Sequence, residues 1–346
     1  MPNPVAIDAD PRLKLLTEWL QRTLRHDFSI AVASADASFR RYFRVTPRGG
    51  DAASTLIAMD APPDKENLAP YLQVAELLVA AGVNAPKVLS RELQQGFLLI
   101  SDLGSRTYLA ELNESQALQD AMRIDALYSD ALDALLQMQR IAIGSALAPY
   151  SSALLQREMQ LFVDWYLGKH LGRTLSTAAQ SALQSAFAQL TASALAQPQV
   201  FVHRDYHSRN LMALRADRTR NPGVLDFQDA VVGPVTYDLV SLLRDCYVAW
   251  PLARVHGWAF TYWERARAAG IEVGADRQQF LRWFDLMGVQ RHLKAVGIFA
   301  RLWHRDGKPG YLGDVPRTLG YIRQVLPQYP ELAPLARIVD DLPRES

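Results

Sequence analysis

Apolar residues recur along the chain in two rhythms, and the rhythm changes once. Leu13, Leu16, Leu20 and Leu24 are spaced for one face of a helix, which predicts a helix from Pro11 to about Arg25. Short apolar runs follow at Phe28–Val32, Tyr42–Val45 and Leu56–Met59 and read as strands. A second helical pattern runs from Asp64 to Ala81, with Asp64 as N-cap and Gly82 as the stop. Lys87–Ser90 and Phe97–Ser101 read as strands joined through the turn residues Gln94-Gln95-Gly96. Beyond Asp102 helical spacing dominates, over Gln116–Ile141, Leu154–Leu171 and Ser176–Ala194. The period shortens again only at Val200-Phe201-Val202 and Val224-Leu225, with the turn Asn221-Pro222-Gly223 before the latter. Tyr237–Val248 and the C-terminal third are helical. The order predicts an α+β chain in which residues 1–101 form a small antiparallel-sheet lobe. Residues 102–346 would form a larger, mainly helical lobe carrying a small sheet of its own.

Composition narrows the function. The chain has 346 residues, 49% of them hydrophobic, which is enough for one large or two moderate soluble domains. Its 37 basic and 36 acidic residues leave a net charge of +1, so no global field draws in nucleic acid or an anionic membrane. The one cysteine, Cys246, lies in an apolar helical stretch and reads as a buried small residue. Met1 to Asp10 lacks the apolar core of a signal peptide, and no apolar run reaches spanning length; a cytoplasmic protein is expected.

The chemistry gathers between Val200 and Asp229. His203-Arg204-Asp205 is followed by four residues and then Asn210, the spacing H-R-D-x-x-x-x-N of phosphoryl-transfer catalytic loops. Asp226-Phe227 comes later and supplies the first two letters of the metal-binding D-F-G motif. Phosphoryl transfer asks an enzyme mainly to position reactants and neutralise charge. Asp205 would orient the acceptor hydroxyl and take its proton. Asn210 and Asp226 would hold Mg²⁺, a hard cation that takes oxygen ligands. Each of these groups follows an apolar run that delivers it to a strand end.

The loop His203-Arg204-Asp205-Tyr206-His207-Ser208-Arg209-Asn210 resembles the H-G-D-x-H-x-x-N loop of the aminoglycoside phosphotransferase family. Tyr237-Asp238-Leu239 matches that family as well. The resemblance is nearer still to the anomeric amino-sugar kinases of bacterial cell-wall recycling, which act on N-acetylmuramate and N-acetylglucosamine. It is carried by Phe39-Arg40-Arg41-Tyr42-Phe43-Arg44-Val45, by Leu56 to Pro63, and by Gln290 to Leu302. It implies a two-lobe protein-kinase-like fold with ATP and Mg²⁺ in the cleft, acting as a monomer. It also implies that Ile100 to Leu103 contact the adenine edge, with Ile100, Asp102 and Leu103 as the nucleotide-binding positions. The turn from Ser34 to Phe39 would cover the phosphates, with Ser38 and Arg44 as candidates. His203 and Asp238 would support the catalytic loop, Asp238 also serving as a negative charge at a helix start. His207, Arg209, Asp229, Arg291 and Arg301 are the candidate contacts to the sugar; a carboxylate-bearing sugar calls for an arginine fork.

Two features stand apart from that pattern. The turn from Ser34 to Phe39 has no glycine, and Met59 stands where a strand lysine would hold phosphates. Lys65 or an arginine of the first turn would have to replace it; Glu66 or Glu76 would partner the usual lysine, but without that lysine neither is assigned and both read as surface charges. Other acceptors, such as an aminoglycoside, choline or homoserine, and a non-catalytic nucleotide-binding role remain as alternatives. The basic C-terminal third argues against a polycationic acceptor. Gly307-Lys308-Pro309-Gly310 is a turn and lacks the spacing of a phosphate loop.

Overall fold

A computed structural model of the chain describes residues 10–35, 39–48, 55–142, 144, 146–214 and 221–344. They form two units, one of residues up to 107 together with 212–229, the other of 108–211 together with 230 onward.

In the first unit Asp10 caps α1 (Pro11–Leu24), its Oδ1 accepting from the N–H groups of Arg12 and Leu13. The helix buries Leu13, Leu16, Trp19 and Leu20 against Phe43, Val45, Ala58, Phe97 and Leu99 of a sheet. The sheet's strands are β1 (Phe28–Ala35), β2 (Arg41–Pro47) and β3 (Leu56–Asp60). After α2 (Ala69–Ala80) come β4 (Val88–Glu92) and β5 (Phe97–Ser101). Every pairing is antiparallel in the order β1-β2-β3-β5-β4. The β4–β5 turn needs glycine: Gly96 has φ +75°, and a Cβ there would stand 1.9 Å from the Ala61 carbonyl oxygen.

The second unit holds α3 (Tyr108–Ala117), α4 (Ala121–Gln139), α5 (Ser152–Leu161) and α6 (Thr177–Leu195), followed by β6 (Gln199–Val202). The chain then passes through the ribbon β7 (Leu211–Met212) and β8 (Gly223–Val224). It returns as β9 (Val231–Pro234), antiparallel to β6. α7 (Tyr237–Leu243), α8 (Leu252–Ala268), α9 (Arg277–Asp306), α10 (Val315–Val325) and α11 (Ala333–Asp340) complete it. α9, with 30 residues, is the axis of the unit's core and packs among α5, α6 and α10. Among the described residues no helix is long and apolar enough to cross a membrane.

Four expected boundaries move, each for a local reason. α2 begins at Ala69 rather than Asp64: the Lys65 and Glu66 N–H groups first close a turn on the Pro62 carbonyl, Leu68 is the N-cap, and Ala69 N–H donates to Asn67 Oδ1 at 3.0 Å. The expected Gln116–Ile141 helix is two helices. Gln119 turns left-handed, and the Asp120 carboxylate then caps α4 through Arg123 N–H. The Leu154–Leu171 helix changes to π-helical winding over Phe162–His170. That change coincides with Gly297 of α9, where a Cβ would lie 2.3 Å from the Leu161 carbonyl carbon. α7 stops at Leu243, since Asp245 draws Ser208 and Tyr247 N–H groups to its carboxylate instead of continuing the helix.

Candidate active site

The catalytic loop of the second unit begins where β6 ends. Val200, Phe201 and Val202 are buried, and β6 delivers His203 into the interior. Two buried carboxylates hold the loop by its backbone. Asp238, in the first turn of α7, accepts from His203 N–H at 2.6 Å and Arg204 N–H at 3.0 Å. Asp245, just past α7, accepts from Ser208 N–H at 2.9 Å. Between these clamps the loop closes on itself: Asp205 N–H donates to His203 Nδ1 and Asn210 Nδ2 donates to the Asp205 carbonyl. The predicted support residues His203 and Asp238 thus sit beneath the loop. Asp245 was not anticipated, because a carboxylate in an apolar helical pattern carries no sign of its distant N–H partner.

Arg204 occupies a left-handed position, φ +78°, where the resembling loop carries glycine. A non-glycine residue is strained there, and its side chain is accordingly well anchored. The guanidinium pairs with the buried Glu158 of α5 and lies over the Tyr150 ring at 5.6 Å. Glu158 also accepts from Lys294 Nζ at 3.1 Å and from the Tyr150 hydroxyl. Lys294 Nζ donates to the Tyr237 hydroxyl at 2.9 Å. Burial pushes the Glu158 carboxyl up, but Lys294, Arg204 and Tyr150 outweigh it and hold the group below the usual range.

These cations set the state of Asp205. Burial alone would raise its carboxyl; Lys294, His207, Arg291 and Arg204 bring it down to about 2. His207 is itself driven down to about 4 by burial, so near pH 7 it is neutral. Lys294, with Arg291 and Arg204, therefore supplies the charge that keeps Asp205 ionised. Burial pushes Asp238 up to about 6, against His203 and the two N–H donors.

The predicted sugar contacts divide. His207 packs edge-on to Tyr247, and its buried Nδ1 has no partner among the described residues. Arg291 of α9 is buried, with Nη1 3.8 Å from Cys246 Sγ and Nε unpartnered among the described residues. Arg209 is exposed and stacks on Tyr247 at 3.7 Å. Arg301 lies ten residues beyond Arg291 on α9, roughly 15 Å along the axis, and its charged neighbours are Arg305 and Asp306. Asp205, His207, Arg291 and Lys294 are thus brought together, while Arg301 stands away. Lys294 shares a helical face with Arg291 in the sequence pattern, but its pairing with Glu158 and the part of Tyr150 carry no sequence signal, since a helical repeat does not separate a buried ion pair from a solvated face.

The first unit carries the other half of the motif. Asp226 is left-handed, φ +62°, and its Oδ1 accepts from Gln228 Nε2 at 2.7 Å. Phe227 is buried, with its ring 4.8 Å from that of Tyr71 on α2. Asp229 is exposed. Ile100 is buried in β5, opposite Ile57 of β3. Leu103 lies where Gly223 leaves room, 2.9 Å from a Cβ built there. Arg44 and Asp102, both candidate nucleotide contacts, hold each other at 2.6 Å, with Thr55 donating to Asp102 and Arg44 to the Gly104 carbonyl. Ser38 lies outside the described residues.

The fit to a metal is one of donor type. Asn210 and Asp226 offer carboxamide and carboxylate oxygen. Mg²⁺ takes one or two protein carboxylates and completes its shell with phosphates and water. Among the described residues no cluster of three or more His, Cys, Asp or Glu could hold a metal by itself.

The family described as "Phosphotransferase enzyme family" matches residues 29–272. An N-acetylmuramate/N-acetylglucosamine kinase of Pseudomonas putida is 49% identical over 344 residues, covering 96% of this chain and 97% of the relative. The protein of that name from Pseudomonas aeruginosa is 47% identical over 97% of this chain and 98% of its own. That from Neisseria meningitidis is 44% identical over 94% and 95%. Among solved structures, an aminoglycoside phosphotransferase in complex with streptomycin and ATP superposes with a TM-score of 0.59 at 14% identity. It covers 96% of this chain and 99% of its own. A choline kinase of Streptococcus pneumoniae gives 0.60 at 10% identity, covering 91% and 99%. At such identities these structures establish the shared kinase-like fold alone.

Proposed function

The chain belongs to the phosphotransferase enzyme family, and we propose that it transfers the γ-phosphoryl group of ATP to the anomeric hydroxyl of N-acetylmuramate and N-acetylglucosamine. The product is the sugar 1-phosphate, a salvage step in peptidoglycan recycling. The observation that carries this reading is identity of 49% and 47% to two kinases of that name, spread over nearly the whole of each chain.

Asp205 is the group that orients the acceptor hydroxyl and receives its proton. A proton-accepting carboxylate must be ionised, and the cations around Asp205 keep it so. Its basicity is low, but a hemiacetal hydroxyl is more acidic than an ordinary alcohol, and the phosphoryl acceptor needs positioning more than deprotonation. Asn210 presents its Oδ1 as a metal ligand, its Nδ2 being engaged with the Asp205 carbonyl. Asp226 supplies the carboxylate. When bound, Mg²⁺ neutralises charge on the nucleotide phosphates. Asp238 and Asp245 hold the loop so that Asp205 and Asn210 keep their spacing. His207 and Arg291 offer buried nitrogen that is unpartnered among the described residues to the sugar, and Arg291 suits the lactyl carboxylate of N-acetylmuramate. A polycationic aminoglycoside would meet Arg204, Arg291 and Lys294 around Asp205, which favours the neutral and anionic sugars.

The test is ADP release with Mg²⁺ and ATP over a panel of N-acetylmuramate, N-acetylglucosamine, glucose and kanamycin. Turnover with the two N-acetyl sugars is expected. Asp205→Asn should lower it by about 10²–10⁴-fold, the range of a general base. Turnover with kanamycin alone would overturn the substrate assignment.

A further inference from the structure

Met59 stands where a phosphate-binding lysine is expected, and the strand register shows which side chains share its face. Tyr42 is directly opposite Met59, and Arg41 opposite Asp60. Opposed residues in an antiparallel pair point to the same side, and neighbours along a strand alternate. Arg41 and Asp60 therefore occupy the α1 side, where they join Asp10 and Arg12 in an ion cluster. Tyr42 and Arg44 share the Met59 side, and Arg40, the residue before β2, continues it.

Three cations compete to replace the lysine. Arg44 is held by Asp102 and the Gly104 carbonyl at the other end of the run. Lys65 is half exposed, 3.7 Å from Asp64 and above the Phe39 ring. Arg40 has its Nη2 3.0 Å from Glu66 Oε2, with side-chain exposures of only 10% and 13%. Glu66 Oε1 also accepts from Phe39 N–H at 3.2 Å, so the carboxylate is fixed at both oxygens. Beside this pair lies Tyr71, whose ring packs on Phe227, the neighbour of the metal-ligand candidate Asp226. The Tyr71 hydroxyl, raised first by burial, also feels Tyr42, Arg40 and Asp226, which gathers these groups around one buried oxygen.

We propose that Arg40 is the cation that binds the nucleotide phosphates in place of the missing strand lysine, and that Glu66 is the positioning residue that aims it. The assignment rests on the reading of the chain as an ATP-dependent kinase. Diagonal neighbours on adjacent strands lie about 7–8 Å apart, a gap that a long arginine side chain spans. The guanidinium fork fits phosphate oxygens in pairs, which an ammonium does not. Its buried ion pair keeps the charge oriented where the low dielectric strengthens it.

The test is calorimetric titration of Mg-ATP and, separately, of adenosine into the wild type and into Arg40→Gln, Arg40→Lys, Glu66→Gln and Arg40→Gln/Met59→Lys. Arg40→Gln should weaken ATP by about 10- to 100-fold, the scale of one charge-assisted phosphate contact, and leave adenosine unchanged. Glu66→Gln should weaken ATP less and also spare adenosine. A lysine restored at position 59 should recover part of the loss. A pair that merely stabilised the fold would weaken ATP and adenosine together, and that result overturns the assignment. So does ATP binding by Arg40→Gln within about twofold of wild type. Adenosine binding reports folding of each variant; if Arg40→Gln does not fold, Arg40→Lys carries the test and must lose ATP affinity selectively. Failure of the wild type itself to bind ATP would overturn the kinase reading, and this assignment with it.

Discussion

At the scale of single residues, charge arrangement decides the acid–base behaviour. Asp205, near 2, stays ionised across the physiological range, so its own titration does not limit activity there. Asp238, near 6, does titrate. As pH falls through about 6, a proton on Asp238 removes an acceptor from the His203 or Arg204 N–H, and the loop loses a clamp. We therefore expect the acid limb of kcat near pH 6, absent in Asp238→Asn, which should be slow at every pH. A limb that persists in that variant would assign the titration elsewhere. The stability sign is opposite: a carboxyl raised in the fold favours the folded state below its unfolded value of 3.8, and that benefit is lost as pH rises to about 6. Arg291 makes a separate prediction. Arg291→Gln should raise KM for N-acetylmuramate by about tenfold or more, one lost charged contact, and alter KM for N-acetylglucosamine little. Equal effects on both sugars would remove its role as carboxylate partner.

At the scale of elements, the legible parts were those written locally. The strands Phe28–Ala35, Arg41–Pro47 and Leu56–Asp60 each contain the apolar run that announces them, and the buried leucines of α1 follow from their helical spacing. The catalytic loop was legible because residue types and spacing are set by chemistry within a dozen positions. What was hidden depends on distant neighbours. Nothing near Glu158 shows that it meets Arg204 and Lys294, and nothing in Leu154–Leu171 shows that α9 will press Gly297 onto the Leu161–Phe162 backbone. That contact gives a stability prediction. Gly297→Ala places a Cβ 2.3–2.6 Å from backbone atoms, which no side-chain rotation relieves. Overpacking of this kind costs about 1–3 kcal/mol, or a fall in Tm of about 1–2 °C per kcal/mol for a chain longer than about 250 residues. An unchanged Tm in calorimetry would show that the two helices yield without cost.

At the scale of the whole molecule, the chain is a kinase-like fold that departs from the pattern it resembles at two positions. The loop glycine is replaced by Arg204, strained and anchored by Glu158, and Met59 stands in place of the strand lysine, opposite Tyr42 of β2. The return of residues 212–229 to the first unit carries Asp226 there, a crossing that composition did not reveal. Asp205, the cations around it and the carboxylates that hold its loop all lie within the second unit. The most direct measurement of the central claim is phosphorus NMR of the product formed from ATP, Mg²⁺ and N-acetylmuramate. The account predicts a sugar phosphate whose phosphorus couples to the anomeric proton, formed by the wild type and lost with Asp205→Asn. Phosphate on another hydroxyl, or a product undiminished in the variant, would contradict it.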